Sequence, residues 1–203
     1  VLKNNSYPLS VSAERVHQAL ALVKKAKELG VDAIAHGSTG AGNDQVRFDI
    51  TFQTLAPDLR IIAPVREWKM TRDEEIAFAI ERNIPVNISK DNLFSIDQNI
   101  WGRSCEAGVL EDPWIEPPPE TFAWTKDVAN TPNDPAYVVI DFDKGIPVGL
   151  DNKKMDGVEL ISKLNTLAGE HGVGRIDHVE NRLVGIKSRE LYEAPAGVVL
   201  HFA

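Results

Sequence analysis

Residue types that mark several protein classes are scarce in this sequence. It has one cysteine in 203 residues, so no internal disulfide can form, and Cys105 has no Cys/His cluster around it for a metal. No apolar run approaches the ~20 residues that span a bilayer, and no signal-peptide pattern opens the chain. We therefore expect a cytoplasmic protein with no membrane partner, in which Cys105 is a packed side chain and not a nucleophile.

Basic residues are also few relative to acidic ones. The 22 Lys and Arg residues are outnumbered by 30 Asp and Glu residues, which gives a net charge of −8. No basic stripe is present to neutralise phosphates, so we expect no nucleic-acid partner. With 43% hydrophobic residues the chain can bury a full core, as one domain or as two small ones. A small anionic ligand held by local N–H groups and one or two arginines stays compatible with this charge.

Helical and strand-like patterns alternate in the first part of the chain. The first predicted helix ends at Gly30 and has a face of Val16, Leu20, Val23 and Lys27 with Ala19 and Ala26 beside it. A second helix is predicted over residues 43–55, with Val46, Ile50 and Thr54 at spacing four, and a third from the capping box Thr71–Glu74 through Arg82. The predicted strands cover residues 31–35, 59–63 and 85–88. Helices between short apolar strands favour a parallel sheet with crossover connections.

The pattern changes after about residue 89. Residues 89–133 have little periodicity and are predicted to be irregular, as functional segments or linkers often are. The remaining predicted elements are a hairpin of residues 137–142 and 146–150, a helix over residues 158–167 and a strand over residues 176–186. We predict an α/β unit over residues 1–92 and an α+β unit over residues 93–203.

The most informative stretch is residues 33–48, where a short apolar strand runs into three glycines and then a helix. Glycines let backbone N–H groups approach an anion, and a helix start adds the positive end of its dipole. Thr39, Asn43, Asp44 and Arg47 add a hydroxyl, an amide, a carboxylate and a guanidinium. This mixture suits a zwitterionic ligand such as an amino acid better than a bare phosphate.

The standard phosphate motifs do not fit this stretch. Gly37 and Gly42 have the glycine spacing of a P-loop, but Asn43-Asp44 stand where Lys-Ser/Thr is required. A dinucleotide fingerprint fails because no third glycine follows Gly42 at the required position. The structural alternative is an ordinary strand-to-helix turn in which Asp44 caps the helix and Arg47 pairs with it.

The pattern Gly37-x-Thr39-x-x-Gly42-Asn43-Asp44-x-x-Arg47-Phe48 resembles a signature of the argininosuccinate synthase family, which joins citrulline to aspartate using ATP. The resemblance extends from about Tyr7 to the end of the chain and includes residues 172–182. One departure is Ala41, where the family commonly has Lys. The role of that cation, near the phosphates or the aspartate, must be filled elsewhere or be dispensable.

The resemblance implies a role for individual residues of this chain. The residues implied for citrulline are Tyr7, Ser12, Asn43, Arg47, Ser95, Ser104, Glu180 and Tyr192. Those implied for aspartate are Thr39, Asn43 and Asp44, with Gly37 for ATP, and Asp44 and Arg15 are implied as catalytic. The resemblance places Mg²⁺ on the nucleotide, and the histidines have no ligand spacing, so we expect no protein-bound metal.

The resemblance also implies the wider organisation. Residues 1–92 would be the remainder of an ATP-pyrophosphatase-like, parallel-sheet nucleotide-binding domain. Residues 93–203 would be an α+β synthetase domain that binds citrulline and aspartate and is truncated at its C-terminus. The family's Ser-, Gly- and Asp-rich pyrophosphatase loop is not in the sequence, so we expect a fragment that is inactive alone.

The resemblance implies that the complete protein is a cytoplasmic homotetramer that acts in arginine biosynthesis and the urea cycle. Two other functions stay open. One is a different ATP-pyrophosphatase-type ligase, and the other is a non-catalytic amino-acid-binding module.

Overall fold

The computed structural model describes residues 2–3, 7–8, 14–85 and 94–203. The chain divides into two compact units. We call Ser12–Asn92 with Asn181–Lys187 the loop unit, and Val1–Val11, Leu93–Glu180 and Ser188–Ala203 the sheet unit. Within the described ranges, no helix has both the length and the apolar character needed to cross a membrane.

The described part of the chain contains both helices and strands. The helices are α1 (Glu14–Leu29), α2 (Asp44–Leu55), α3 (Pro64–Trp68), α4 (Arg72–Glu81), α5 (Gly157–Glu170) and α6 (Pro195–Phe202). The strands are β1 (Leu2–Lys3), β2 (Tyr7–Pro8), β3 (Ala33–Ala35), β4 (Arg60–Ile62), β5 (Ser95–Asn99), β6 (Gly102–Glu106), β7 (Ile140–Asp143), β8 (Ile146–Leu150), β9 (Lys153–Lys154), β10 (Arg175–Asn181) and β11 (Lys187–Glu193). Short 3-10 helices cover Gly108–Glu111, Pro119–Thr121 and Val128–Asn130.

The predicted helices α1 and α2 are confirmed, but the predicted face is only partly buried on α1 and is not the buried face on α2. On α1 the buried residues are Ala19, Val23 and Ala26, whereas Val16 and Leu20 are each 43% exposed. On α2 the predicted row fails because Ile50 is 58% exposed. The helix instead buries Gln45, Phe48 and Phe52, and the two phenyl rings stack with centroids 5.7 Å apart. Burying two aromatic rings removes more apolar area from water than the spacing-four row would.

β3 and β4 pair in parallel, with Ile34 opposite Ile61, and α2 makes the connection between them. This strand–helix–strand unit is the part of the predicted parallel sheet that the structure describes. The predicted strand over residues 85–88 lies outside the described residues except for Pro85, which is in no strand. The predicted capping box is confirmed, since the Thr71 side chain accepts from Glu74 N and the Glu74 side chain accepts from Thr71 N.

The sheet unit contains a four-stranded sheet in the order β10-β11-β6-β5, in which β11 and β5 both run antiparallel to β6. The prediction that residues 89–133 are irregular was therefore wrong for β5 and β6. The predicted strand over residues 176–186 was also wrong at its end. β10 ends at Asn181, a turn follows, and β11 begins at Lys187.

The predicted hairpin is confirmed as β7 and β8, with Lys144 and Gly145 at φ 51° and 80° in the turn between them. The predicted helix is confirmed as α5, which begins after Asp156, whose side chain accepts from Glu159 N at 2.9 Å. Leu160, Ile161 and Leu164 of α5 form the core of this region together with β8 and α6. Gly174 has no room for a side chain, because an added Cβ would lie 2.6 Å from Pro195 N.

Candidate functional site

The glycine loop, residues 36–43, connects the end of β3 to the start of α2. Asn43 precedes the helix in the α conformation and makes no side-chain cap. Its Oδ1 instead accepts a hydrogen bond from Leu183 N at 2.6 Å. Asp44 is the first residue of α2, so the alternative in which Asp44 caps the helix is wrong. The turn after β10 thus contacts the residue predicted to bind both amino acids.

The glycines of this loop are not required by the protein around them. Gly37 and Gly40 do not have positive φ values, and an added Cβ at either would have no atom within 4 Å. A glycine that neither backbone strain nor a neighbouring atom demands leaves the main chain open to close approach by a ligand. The loop therefore fits a nucleotide or a carboxylate that approaches its backbone N–H groups.

Asp44 lies between two arginines of the loop unit. Arg15 Nε donates to Asp44 Oδ2 and Arg47 Nη1 donates to Asp44 Oδ1, both at 2.7 Å. Arg15 Nη1 also donates to Glu14 at 2.6 Å. All of these side chains are partly buried, which reduces screening by solvent. The structure thus brings together three residues that the sequence analysis places at or near the reacting groups.

These ion pairs fix the direction of both guanidinium groups. A guanidinium carries five N–H donors, so the bond from Arg47 Nη1 to Asp44 uses one of them and is compatible with a further carboxylate ligand. The pairing of Arg47 with Asp44 foreseen in the structural alternative therefore exists. Thr39 lies in the same loop, four residues before Asn43.

Two of the predicted citrulline residues come from the start of the chain. Tyr7 lies in β2, which pairs with β1 through Tyr7 and Lys3 and belongs to the sheet unit. Ser12 lies outside the described residues, so its predicted role as N-cap or ligand stays a prediction.

The remaining predicted citrulline residues share one face of the sheet. One row of opposed residues across β5, β6 and β11 consists of Ser95, Glu106 and Glu190. A second row consists of Asp97, Ser104 and Tyr192. Directly opposed residues of paired strands point to the same side. The two serines predicted from the sequence therefore lie on neighbouring strands of one face, together with Tyr192.

Tyr192 connects two buried acids on this face. Its hydroxyl donates to Glu190 and lies 3.4 Å from Oε2 of Glu180 on β10. The tyrosine is 1% exposed, and Glu180 and Glu190 are each 8% exposed. Glu190 also accepts from the Ser188 hydroxyl at 3.1 Å. Two carboxylates beside a hydroxyl, with little water around them, form a site suited to an ammonium group.

Two further acids on this face, Glu190 and Glu106, were not predicted from the sequence as site residues. A signal for Glu190 was present, because Ser188, Glu190 and Tyr192 alternate with period two along β11. The alternation was not recognised because residues 187–193 had not been predicted to form a strand. Glu106 could be placed only from the register between β6 and β11.

The opposite face of the sheet is structural. Cys105 is fully buried with Leu110 and Leu191, and burial raises the pKa of its thiol, which keeps it protonated near neutral pH. On the same face, Arg103 Nη1 donates to buried Glu193 at 3.0 Å. In the part of the chain that the structure describes, no three His, Cys, Asp or Glu side chains form a group able to hold a metal.

Comparison with known families gives two matches that together span most of the chain. The family model described as "Arginosuccinate synthase N-terminal HUP domain" matches residues 2–85. The model described as "Arginosuccinate synthase C-terminal domain" matches residues 94–203, more than half of the chain. The chain belongs to the argininosuccinate synthase family. The resemblance noted from the glycine-loop signature is thereby confirmed.

Curated argininosuccinate synthases match at high identity. The protein named argininosuccinate synthase from Dehalococcoides mccartyi is 58% identical over 194 residues, which is 96% of this chain and 48% of the relative. Those from Trichodesmium erythraeum and Gloeobacter violaceus are each 55% identical, over 98% and 100% of this chain and 50% and 51% of the relatives. The chain thus spans about half the length of the curated relatives it matches.

Membership in the argininosuccinate synthase family also bears on the predicted fold. It confirms a HUP domain, of nucleotide-binding type, followed by a C-terminal domain, within a mixed α/β fold. Of the predicted site residues, the structure brings Arg15, Asp44 and Arg47 together in the loop unit. It brings Ser95, Ser104, Glu180 and Tyr192 onto one face in the sheet unit.

Proposed function

We propose that the complete protein ligates citrulline to aspartate at the expense of ATP. The ureido oxygen of citrulline attacks the α-phosphorus and pyrophosphate leaves, giving citrullyl-AMP. The aspartate amine then attacks the activated ureido carbon and loses a proton, and AMP leaves with the former ureido oxygen. The products are argininosuccinate, AMP and pyrophosphate. The protein contributes mainly by fixing three reactants in position, which removes a large entropic part of the barrier.

The observation that carries this proposal is the acidic face of the sheet unit. The buried pair Glu180 and Glu190 around the Tyr192 hydroxyl fits the α-ammonium of an amino acid. Ser95 and Ser104 add hydroxyl groups on the same face, as a polar substrate requires. We assign this face, with Tyr7 and Ser12, to citrulline. Asn43 and Arg47 are assigned to the same substrate, since the Arg47 fork suits its carboxylate.

The glycine loop is assigned to aspartate and ATP. Thr39, Asn43 and Asp44 hold aspartate, and the open backbone at Gly37 approaches the nucleotide. Asp44 accepts the aspartate ammonium and assists its deprotonation, while Arg15, already bonded to Asp44, places positive charge near the reacting groups. Arg182 Nη1 lies 3.4 Å from Ala41 O. We assign to Arg182 the role of the cation that the family commonly has as a lysine at residue 41.

The wider organisation follows the family. Residues 1–92 contribute to the nucleotide-binding domain, whose parallel sheet includes β3 and β4, and residues 93–203 to the synthetase domain. Mg²⁺ enters on ATP and needs no protein-bound metal site. We propose a cytoplasmic homotetramer that serves arginine biosynthesis, with citrulline and aspartate as its small-molecule partners.

Pyrophosphate release by the complete protein tests the reaction class. Release should require MgATP and citrulline, and argininosuccinate should form only when aspartate is added. Another ATP-pyrophosphatase ligase would release pyrophosphate with ammonia or glutamine in place of aspartate. A non-catalytic binding module would give a heat of citrulline binding in calorimetry but would release no pyrophosphate from ATP.

Substitution of Glu180 tests the citrulline face. In the complete protein, Glu180→Gln keeps an oxygen that can accept from Tyr192 but removes the charge facing the substrate ammonium. Losing a charge-assisted contact costs about 1.5–3 kcal/mol, so we expect the KM for citrulline to rise by at least roughly tenfold. The KM for aspartate should change less than about twofold. Steady-state kinetics with each amino acid varied in turn measures both.

Glu159→Gln is the matched control for this variant, because Glu159 is an exposed acid that pairs with Lys163 within α5. It should leave both constants unchanged. Equal rises for citrulline and aspartate in Glu180→Gln would show that Glu180 supports the fold of the site instead of contacting citrulline.

A further inference from the structure

His36 opens the glycine loop directly after β3, and its ring is held from both sides. The side chain is 4% exposed and stacks on Phe48 with centroids 5.6 Å apart. Nδ1 accepts from Ser38 N at 3.2 Å, and Nε2 lies 2.9 Å from Oδ1 of Asp49. Because Nδ1 accepts, the ring proton sits on Nε2 and is donated to Asp49.

Asp49 is held in turn by Arg66 of α3. Arg66 Nη1 donates to Asp49 Oδ2 at 2.7 Å and Nη2 donates to Oδ1 at 3.3 Å. Nη2 is also 3.5 Å from His36 Nε2, too far to compete with the bond from that ring nitrogen to Asp49. The carboxylate therefore keeps the imidazole in one tautomer and one orientation.

A second branch of the network reaches the loop through Gln45. Arg66 Nη1 donates to Gln45 Oε1 at 3.0 Å, and Gln45 Nε2 donates to the carbonyl oxygen of Gly40. The network thus contacts the loop backbone at Ser38 N and at Gly40 O. Thr39 lies between these two points.

We propose that His36, Asp49, Arg66 and Gln45 are positioning residues that hold the backbone on both sides of Thr39 for aspartate and ATP. The inference rests on the proposed function of the glycine loop, but none of the four residues is assigned to a substrate. The network is built within the loop unit, whereas the acidic face that is assigned to citrulline belongs to the sheet unit. Its loss should therefore weaken aspartate and ATP binding selectively.

Two conservative substitutions of His36 separate the two ring nitrogens. In His36→Asn the amide oxygen occupies the place of Nδ1 and can accept from Ser38 N, but the side chain is too short to reach Asp49. In His36→Gln the amide nitrogen occupies the place of Nε2 and can donate to Asp49, but no acceptor remains for Ser38 N. We therefore expect the loop conformation to be mostly retained in His36→Asn and to be lost around Ser38 in His36→Gln.

Steady-state kinetics of the complete protein measures the consequence. Losing a hydrogen bond of about 1 kcal/mol predicts a roughly fivefold rise in the KM values for aspartate and ATP in His36→Gln. The KM for citrulline should stay within about twofold, and His36→Asn should restore most of the difference. His17→Asn is the matched control, since His17 is an exposed histidine of α1 in the same unit, and it should behave as wild type.

Amide hydrogen exchange of the peptide containing residues 37–42 gives a readout that does not depend on activity. Ser38 N–H should exchange slowly in wild type and His36→Asn and faster in His36→Gln. Unchanged exchange and unchanged KM values in His36→Gln would overturn the inference, as would equal rises in all three KM values. A wild-type protein that needs neither citrulline nor aspartate to make AMP would overturn the proposed function, and this inference with it.

Discussion

Arg47→Ala in the complete protein is expected to lower kcat/KM for citrulline by roughly 10- to 150-fold, the loss of one charge-assisted contact of about 1.5–3 kcal/mol. The guanidinium is preorganised by its 2.7 Å bond to Asp44, so a carboxylate ligand meets a fork that is already oriented. Alanine removes the fork and also leaves Asp44 with one arginine fewer. Kinetics with citrulline varied at saturating aspartate and ATP measures the effect.

The fold should survive this substitution. An i,i+3 pair on a partly exposed helix surface contributes only about 0.3–0.5 kcal/mol, so the melting temperature should barely change. Arg47→Lys keeps the charge without the planar fork and should fall between wild type and alanine. Arg82→Ala is the matched control because Arg82 pairs with exposed Glu81 at the end of α4, and it should retain full activity. An unchanged kcat/KM for both amino acids in Arg47→Ala would exclude Arg47 from the site.

Glu193→Ala is expected to cost about 3–5 kcal/mol of unfolding free energy, because it leaves the charge of Arg103 buried without its partner. Glu193 is 1% exposed and Arg103 is 4% exposed. The same carboxylate accepts from the backbone N–H groups of Ala123, Trp124 and Thr125 at 2.9–3.0 Å. Glu193 therefore attaches the segment of residues 123–125 to β11, at the position that follows Tyr192.

Urea unfolding of the complete protein, followed by tryptophan fluorescence, measures this loss. Glu159→Ala removes an exposed pair with Lys163 and should change the unfolding free energy by less than about 0.5 kcal/mol. If Glu193→Ala unfolds at the same urea concentration as Glu159→Ala, the buried carboxylate does not hold the segment.

Local patterns in the sequence predicted some elements well. The Thr71–Glu74 capping box, the turn at Lys144-Gly145 and the glycine that ends α1 each depend on a few neighbouring residues. Those interactions are formed within one or two turns of chain, so they can be read without knowing the rest of the fold. The buried face of α2 could not be read in this way, because it is set by which side packs against α1 and β3.

Strands β5 and β6 were missed for a related reason. Residues 95–99 have only one apolar side chain, and the turn that follows contains Ile100 and Trp101 instead of glycine or proline. The turn is stabilised by the Asn99 side chain, which accepts from Trp101 N at 2.8 Å. Because β5 gains its order from pairing with β6, no local pattern marks it as a strand.

The same difference between local patterns and contacts of distant segments applies to the candidate site. Its residue identities could be taken from the resemblance, whereas their grouping depends on strand register. Only the pairing of β5, β6 and β11 places the two serines on the face of Tyr192, and only that pairing adds Glu106. The connection from His36 through Asp49 to Arg66 likewise joins the glycine loop, α2 and α3, and its ends are 30 residues apart in sequence.

The most direct measurement of the proposed chemistry follows the ureido oxygen of citrulline. The complete protein is incubated with aspartate, MgATP and citrulline labelled with ¹⁸O in the ureido group, and the AMP is analysed by mass spectrometry. Attack by the ureido oxygen on the α-phosphorus predicts one ¹⁸O atom in the phosphate of each AMP formed. Unlabelled AMP, or AMP formed at the same rate without citrulline, would contradict the proposal that this protein activates citrulline by adenylation.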